Sequence, residues 1–219
     1  MANILIFGTG DIAQIAKYYF EIDSEHEVVG FTVDKEYMSE DQFEGLPIIA
    51  FEEVQKKFPP SEFKLFIALS YSKMNSVRES KYRLAKKMGY ELVSYVSSRC
   101  SYMSQFKHGD NCFIFEDNTI QPFTRIGNNV TLWSGNHIGH HSTIGDHNFI
   151  SSHVVISGHC TIGNNCFLGV NSTIHNNIEV ASGTLLAAGA IINKDTQKDS
   201  VHLPARSTIL GKKSFELNI

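Results

Sequence analysis

The sequence of 219 residues contains no apolar run of membrane-spanning length and no pair of cysteines in a CxxC arrangement. Its first eight residues, Met-Ala-Asn-Ile-Leu-Ile-Phe-Gly, lack the basic region and the long apolar stretch of a secretory signal. We therefore expect a cytoplasmic protein without membrane insertion. The formal net charge is −4, whereas general binding to nucleic acid needs a basic field. We expect no nucleic-acid partner.

An aliphatic residue stands at every sixth position of residues 114–192. The series consists of Ile114, Ile120, Ile126, Leu132, Ile138, Ile144, Ile150, Ile156, Ile162, Leu168, Ile174, Val180, Leu186 and Ile192. Six residues rotate an α-helix by about 600°, so a helix cannot hold this series on one face. Short strands joined by tight corners can do so, with a small or β-branched residue at the corner four positions after each aliphatic one. Three such sides form a triangular turn, and stacked turns pair their backbones about 4.8 Å apart.

This repeat resembles that of the hexapeptide-repeat acyltransferases. The resemblance implies a left-handed parallel β-helix and a homotrimer, neither of which the spacing alone can show. Cys160 and Cys166 fall on inward-facing positions of the repeat. We expect the cysteines to be reduced thiols.

Strand and helix patterns alternate before the repeat. Residues 3–7 form an apolar strand candidate, followed by a glycine turn and a helical pattern near residues 15–20. Further strand candidates lie at residues 28–33 and 63–69. This order predicts a small Rossmann-like parallel α/β domain. We assign residues 1–95 to this domain and residues 96–219 to the β-helix with its C-terminal tail.

Parallel sheets bind ligands at the carboxyl ends of their strands. The residues that follow the three strand candidates are therefore the predicted substrate contacts: Gly8, Gly10, Asp11, Asp34 and Ser70. A purely structural glycine turn remains the alternative for residues 8–11. Arg78, after the loop of residues 70–75, is a candidate phosphate contact, with a solvated helix start as the alternative.

A small α/β domain joined to a hexapeptide coil resembles the sugar-nucleotide acyltransferases, which include bacillosamine-pathway and perosamine N-acetyltransferases and the sialic acid O-acetyltransferase. In that family the α/β domain holds the nucleotide, and acetyl-CoA lies along the β-helix between neighbouring subunits. The resemblance implies an acetyl-CoA-dependent enzyme that acetylates the amino group of a nucleotide-linked amino sugar. It also implies a homotrimer with active sites between subunits, and no metal cofactor.

Seven histidines crowd the coil: His137, His140, His141, His147, His153, His159 and His175. Imidazole is a suitable base near neutral pH. Residues 134–145, Ser-Gly-Asn-His-Ile-Gly-His-His-Ser-Thr-Ile-Gly, resemble the segment that carries the catalytic histidine in the relatives, and the match implies His140 as the general base. The relatives commonly have an acidic residue next, where this chain has His141. His141 is therefore a second catalytic candidate, and the group that orients His140 stays open.

Gly158 follows His140 by one triangular turn. The relatives use a backbone amide at the matching place, which implies that Gly158 N–H polarises the thioester carbonyl; a corner glycine with positive φ is the alternative. Residues 203–206, Leu-Pro-Ala-Arg, resemble the stretch with which hexapeptide transferases leave the coil beside CoA. The predicted acetyl-CoA contacts are Gly158, His159, Ala188, Gly189, Pro204, Ala205 and Arg206.

Three other functions stay open. The first is O-acetylation of a sugar, as in the sialic acid O-acetyltransferase. The second is a zinc protein similar to γ-class carbonic anhydrases, which build the same coil and bind zinc with three histidines; His137 with His141, or His141 below His159, would supply the ligands. The third is a non-catalytic sugar-nucleotide-binding protein. The base of the nucleotide and the identity of the sugar are not specified by the sequence.

Overall fold

The computed structural model of the chain describes residues 1–217. Residues 218 and 219, which the predicted second domain includes, lie outside the described part. An N-terminal α/β unit is followed by a long β-coil. The predicted fold class, a Rossmann-like unit and a left-handed parallel β-helix, is confirmed.

A five-stranded sheet in the order β3-β4-β2-β1-β5 forms the centre of the N-terminal unit. Its strands and helices are β1 (Asn3–Phe7), α1 (Asp11–Asp23), β2 (Glu27–Val33), β3 (Gln42–Phe43), β4 (Leu46–Ala50), α2 (Val54–Lys57), β5 (Lys64–Ile67) and α3 (Ser76–Lys87). All pairings are parallel except that of β3 with β4. Within residues 1–217, no helix combines the length and the apolar character needed to cross a membrane.

Strand β1 is apolar throughout because both faces of the sheet are covered. Ile4 and Ile6 pack against α1, whereas Leu5 and Phe7 pack on the opposite face. Parallel sheets buried on both faces show such continuous apolar runs. The sequence pattern identified β1, β2 and β5 but missed both β3, which has only two residues, and β4.

The second part of the chain is a coil of two-residue strands. They are β6 (Tyr95–Val96), β7 (Ser101–Tyr102), β8 (Phe113–Ile114), β9 (Thr119–Ile120), β10 (Arg125–Ile126), β11 (Thr131–Leu132), β12 (His137–Ile138), β13 (Thr143–Ile144), β14 (Phe149–Ile150), β15 (Val155–Ile156), β16 (Thr161–Ile162), β17 (Phe167–Leu168), β18 (Thr173–Ile174), β19 (Glu179–Val180), β20 (Leu185–Leu186), β21 (Ile191–Ile192) and β22 (Val201–His202). Each side of the triangle is one parallel sheet. The coil extends beyond residues 114–192 because β6, β7 and β22 join it without matching the aliphatic series.

The interior of the coil follows the six-residue pattern. Every member of the aliphatic series is at most 5% exposed, and every residue four positions later is at most 9% exposed. All four cysteines are free, and three of them, Cys112, Cys160 and Cys166, are buried. Burial raises the pKa of the Cys166 thiol to about 11, so this side chain is a poor nucleophile near neutral pH.

A residue with left-handed backbone stands at each corner, one position before the small buried residue. The corner residues are Asn111, Asp117, Phe123, Asn129, Gly135, His141, His147, His153, His159, Asn165, Asn171, Asn177, Gly183 and Gly189. Asparagine, aspartate and histidine tolerate this conformation better than most other side chains. The backbone geometry of the corners therefore accounts for the presence of four histidines in the coil.

The two parts share one hydrophobic cluster. Outward-facing aromatic residues of the coil, among them Phe113 and Phe115, pack with Phe20 of α1 and with Tyr95. Tyr95 belongs to β6, which pairs with β8 of the coil. The division at residue 95 stays a prediction, and packing holds the α/β unit firmly on one face of the coil.

Arg78 of α3 connects the two parts through a buried guanidinium group, 1% exposed. Its Nη2 donates to Asn75 Oδ1 at 2.9 Å and to the carbonyl oxygens of His147 and Asn148, both at 3.1 Å. Its Nη1 donates to the carbonyl of Asn129. Burial lowers the pKa of Arg78 to about 10. The prediction of a phosphate contact at Arg78 is therefore wrong, because its donors hold α3 against the coil.

We expect Arg78→Met to destabilise the protein strongly, because it leaves buried carbonyl groups without donors. Hydrogen bonds to a charged group contribute about 1.5–3 kcal/mol each, so the melting temperature should fall by about 6 °C or more. The matched control is Arg83→Met on the same helix, since Arg83 is largely exposed and pairs with Glu79 at the surface, where ion pairs contribute little. Equal melting temperatures for the two variants would contradict this role of Arg78.

Candidate active site

Three aromatic rings stack along one corner of the coil. Phe123, His141 and His159 occupy the left-handed position of successive turns, with φ of 67°, 58° and 59°. The ring centroids of Phe123 and His141 are 4.5 Å apart, and those of His141 and His159 are 4.8 Å apart with nearly parallel planes. We call this edge the histidine corner, since it also carries His140. Its side chains are exposed at the surface of the chain.

His140 stands just before the corner and lies against His141. The Nδ1 atoms of the two rings are 3.1 Å apart, and the ring of His140 is close to perpendicular to those of His141 and His159. The backbone N–H of His140 donates to Gln121 Oε1 at 2.9 Å. With Nδ1 directed at His141, Nε2 is the nitrogen that can accept a proton from a substrate.

Gly158 provides the space in which the His140 ring lies. A Cβ atom on Gly158 would stand 2.7 Å from Cε1 and 2.9 Å from Nε2 of His140. The alternative explanation, a corner glycine with positive φ, is wrong, because the left-handed residue of this turn is His159. The glycine is needed because any side chain there would displace the imidazole.

The backbone N–H of Gly158 donates to Asn176 Oδ1 at 2.9 Å. Its contact with a thioester carbonyl stays a prediction, and it would require the Asn176 amide to give way. Asn176 follows Gly158 by 18 residues, so the repeat could have identified it as a neighbour. Its residue type alone, an asparagine in the coil, gives no reason to select it as a site residue.

The predicted substrate contacts of the α/β unit lie at the carboxyl edge of its sheet. Gly8 follows β1 with φ 123°, and a Cβ there would stand 2.8 Å from the carbonyl oxygen of Ala68, so only glycine fits. Gly10 caps α1 and Asp11 begins it, and both are exposed. The backbone and the packing thus explain why residue 8 is a glycine. Gly10 and Asp11, in contrast, face solvent, where a ligand could reach them.

The carboxylate of Asp34 is already paired. Lys81 of α3 lies 2.6 Å from its Oδ1, and the two side chains are only 16% (Asp34) and 19% (Lys81) exposed. Any ligand that binds Asp34 would therefore meet a lysine as well. Lys81 was not predicted, because it lies 47 positions from Asp34 in the chain and the sequence around Asp34 does not indicate this pairing.

Ser70 and Tyr71 open onto an aromatic pocket of about 220 Å³ between the sheet edge and the coil. The ring of Tyr71 lies 5.0 Å from that of Phe149 and 4.6 Å from that of Phe167. Trp133 forms another part of the wall. Ser70 was predicted, whereas the aromatic wall was missed, although its coil members occupy outward positions next to the aliphatic series.

The predicted acetyl-CoA contacts fall into two groups. Gly158 and His159 follow β15, whereas Ala188 and Gly189 precede β21 of the same sheet. The two pairs therefore lie at opposite ends of the strands, on two different corners of the triangle, and we call these the opposite edges of that sheet. Pro204 lies beside Gly189, since a Cβ on Gly189 would be 3.8 Å from Pro204 Cβ, and Ala205 and Arg206 follow as exposed residues.

The aromatic pocket lies along the edge that carries Ala188. Its wall includes Ser152 and Val170, which precede Ala188 by two turns and one turn of the coil. The structure thus brings Ala188, Gly189 and Pro204 to the edge of the aromatic pocket. The group of His140, His141, Gly158 and His159 lies on the next corner.

Comparison with known proteins supports this architecture. A family model described as bacterial transferase hexapeptide (six repeats) matches residues 123–158. No curated protein matches the chain by sequence.

Solved structures with the same fold cover nearly the whole chain. The acetyltransferase domain of PglB from Neisseria gonorrhoeae FA1090 superimposes with a TM-score of 0.80 at 16% identity, covering 93% of this chain and 97% of that chain. PerB from Caulobacter crescentus, in complex with CoA and GDP-perosamine, has a TM-score of 0.79 at 17% identity, with coverage of 96% and 98%. WeeI from Acinetobacter baumannii AYE has a TM-score of 0.77 at 16% identity, with coverage of 92% and 96%. The chain therefore carries bacterial-transferase hexapeptide repeats and shares the complete two-part fold of the PglB, PerB and WeeI structures.

Proposed function

We propose that the chain is an acetyl-CoA-dependent acetyltransferase that acts on the amino group of a nucleotide-linked amino sugar. The observation that carries the proposal is the exposed His140 ring, directed by His141 and lying over Gly158 on a hexapeptide coil. The shared fold adds support, since the PerB structure contains CoA and GDP-perosamine.

The proposed reaction is direct attack of the sugar amine on the thioester carbonyl. The amine must first lose the proton that it carries at neutral pH. As the C–N bond forms, Nε2 of His140 accepts the second proton from the attacking nitrogen. The C–S bond then breaks, and the CoA thiolate leaves and takes up a proton. A covalent acyl-cysteine is disfavoured because Cys160 and Cys166 are buried in the coil.

We further propose that each active site forms between neighbouring copies in a homotrimer. The aromatic pocket, where the nucleotide would bind, and the histidine corner lie at opposite edges of one sheet. The pocket of one copy would therefore face the histidines of the next. Acetyl-CoA would then contact Gly158 and His159 of one chain and the edge near Ala188 and Gly189 of another. This arrangement uses both groups of predicted cofactor residues.

The test is a thiol-release assay with acetyl-CoA and a panel of UDP-, dTDP- and GDP-linked amino sugars. We expect release of free CoA with at least one of them and acetylation of its amine. Acetylation of a hydroxyl oxygen in place of the amine, or release only with matched nucleotide sugars that lack the amino group, would replace N-transfer by the O-acetyltransferase alternative. The absence of release with either kind of acceptor would favour the non-catalytic binding protein.

We expect His140→Ala to lower kcat by about 10²–10⁴-fold, the usual contribution of a general base. The control is His108→Ala, since His108 is a partly exposed histidine beside Gly109, which pairs with Ile126, away from both the histidine corner and the edge that carries the aromatic pocket. Steady-state kinetics with the best acceptor provide the measurement. Full activity of His140→Ala would remove this histidine from the mechanism.

We expect Gly158→Ala to lower kcat by about tenfold or more, because the new methyl group displaces the His140 imidazole and small misplacements of catalytic groups are costly. The double variant Gly158→Ala/His140→Ala should be no slower than His140→Ala alone, since the first change acts through the second residue. A further loss of rate in the double variant would show that Gly158 acts independently of His140, for example through its N–H.

A further inference from the structure

We propose that His140, His141 and His159 form a binding site for a divalent transition-metal ion, and that an ion bound there blocks acetyl transfer. The three side chains each offer a ring nitrogen, and these nitrogens all lie within 4.8 Å of one another. The inhibition of acetyl transfer rests on the proposed function, whereas the binding of the metal ion does not. His137, a possible zinc ligand under the carbonic-anhydrase-like alternative, is not a member of the group.

The spacing of the nitrogens is close to that of a metal site. Metal–nitrogen bonds of about 2.0–2.1 Å at tetrahedral angles put two ligand nitrogens about 3.3 Å apart. The Nδ1 atoms of His140 and His141 are 3.1 Å apart, so an ion could replace the proton between them without movement of the backbone. His159 is exposed, and a rotation of its side chain would bring its nitrogen closer.

The backbone holds these ligands in place. His141 and His159 occupy left-handed corners of adjacent turns, and the N–H of His159 donates to the carbonyl of His140 at 2.9 Å. The two stacked rings therefore present their edges to the same side, while the His140 ring stands across them. Only rotations of exposed side chains are needed to complete the site.

The chemistry of the donors selects the ion. Imidazole suits zinc, cobalt, nickel and copper, whereas magnesium and calcium prefer oxygen ligands. Three imidazoles leave further coordination positions open to water. An ion bound to Nδ1 of His140 would keep the proton of the neutral ring on Nε2, so that Nε2 could no longer accept a proton from the acceptor. Bound metal would thus act as an inhibitor and not as a cofactor.

The binding test uses Co²⁺ on full-length protein freed of metal with a chelator. Equilibrium dialysis and visible absorption should show one Co²⁺ per chain with nitrogen ligands. His159→Asn, which keeps a residue that tolerates the left-handed corner, should weaken binding at least about tenfold, because even loss of an orienting partner costs about 10–100-fold. The matched control His153→Asn, with the same φ of 59°, should bind within about twofold of wild type.

Equal Co²⁺ affinity of wild type and His159→Asn, or substantially less than one ion per chain in the wild type, would overturn the site. Thermal melting checks that both variants are folded. Because this readout needs no acceptor sugar, failure of the proposed function and failure of the metal site are distinguishable.

The inhibition test follows the acetylated sugar by chromatography, since the thiol of released CoA would itself bind metal. Zn²⁺ should abolish turnover by the wild type, and excess EDTA should restore it. His159→Asn should require at least about tenfold more Zn²⁺ for half-inhibition of its own rate. Full turnover by wild type with the site occupied would overturn the inhibitory role.

Discussion

The backbone register between successive turns of the coil is the constraint on which the rest of the structure depends. Strands pair with partners 18 residues away, as in Leu132 with Ile150, so every outward side chain lies above the residue one turn earlier. This register puts the ring of His140 over Gly158 and stacks His141 on His159. A slip of one residue would turn these side chains inward. The candidate site is thus a consequence of main-chain pairing and not of local loop structure.

The same register separates the aromatic pocket from the histidine corner. Because Arg78 and a shared aromatic cluster join the α/β unit to the coil, the pocket beside Ser70 lies at one edge of a sheet. The histidine corner stays at the other. A single chain therefore presents a pocket and a base on different edges, and assembly with a second copy is the simplest way to unite them.

The sequence predicted the coil well, because its period of six depends on the side chains of residues such as Ile138 and Ser142 that repeat with every strand. It also selected His140 as the candidate base, but mainly through the family resemblance. Residue type alone could not select it, since four other coil histidines occupy corners whose left-handed backbone histidine tolerates. The pairs Asp34–Lys81 and Arg78–Asn129 could not be predicted. Each joins residues distant in the chain, and only the packed structure shows that both cations are already occupied.

The central claim is that the base and the pocket of one active site belong to different copies of the chain. Its most direct test is complementation in mixed trimers. One chain carries His140→Ala, and the other carries Ser70→Tyr, which fills the pocket of about 220 Å³. Each variant alone should be inactive. Any hybrid trimer purified with two tags would contain one intact pairing of histidine corner and pocket among its three interfaces, so about one third of wild-type activity should return. Hybrids that remain inactive would contradict the account, since they would show that the base and the pocket must belong to the same chain.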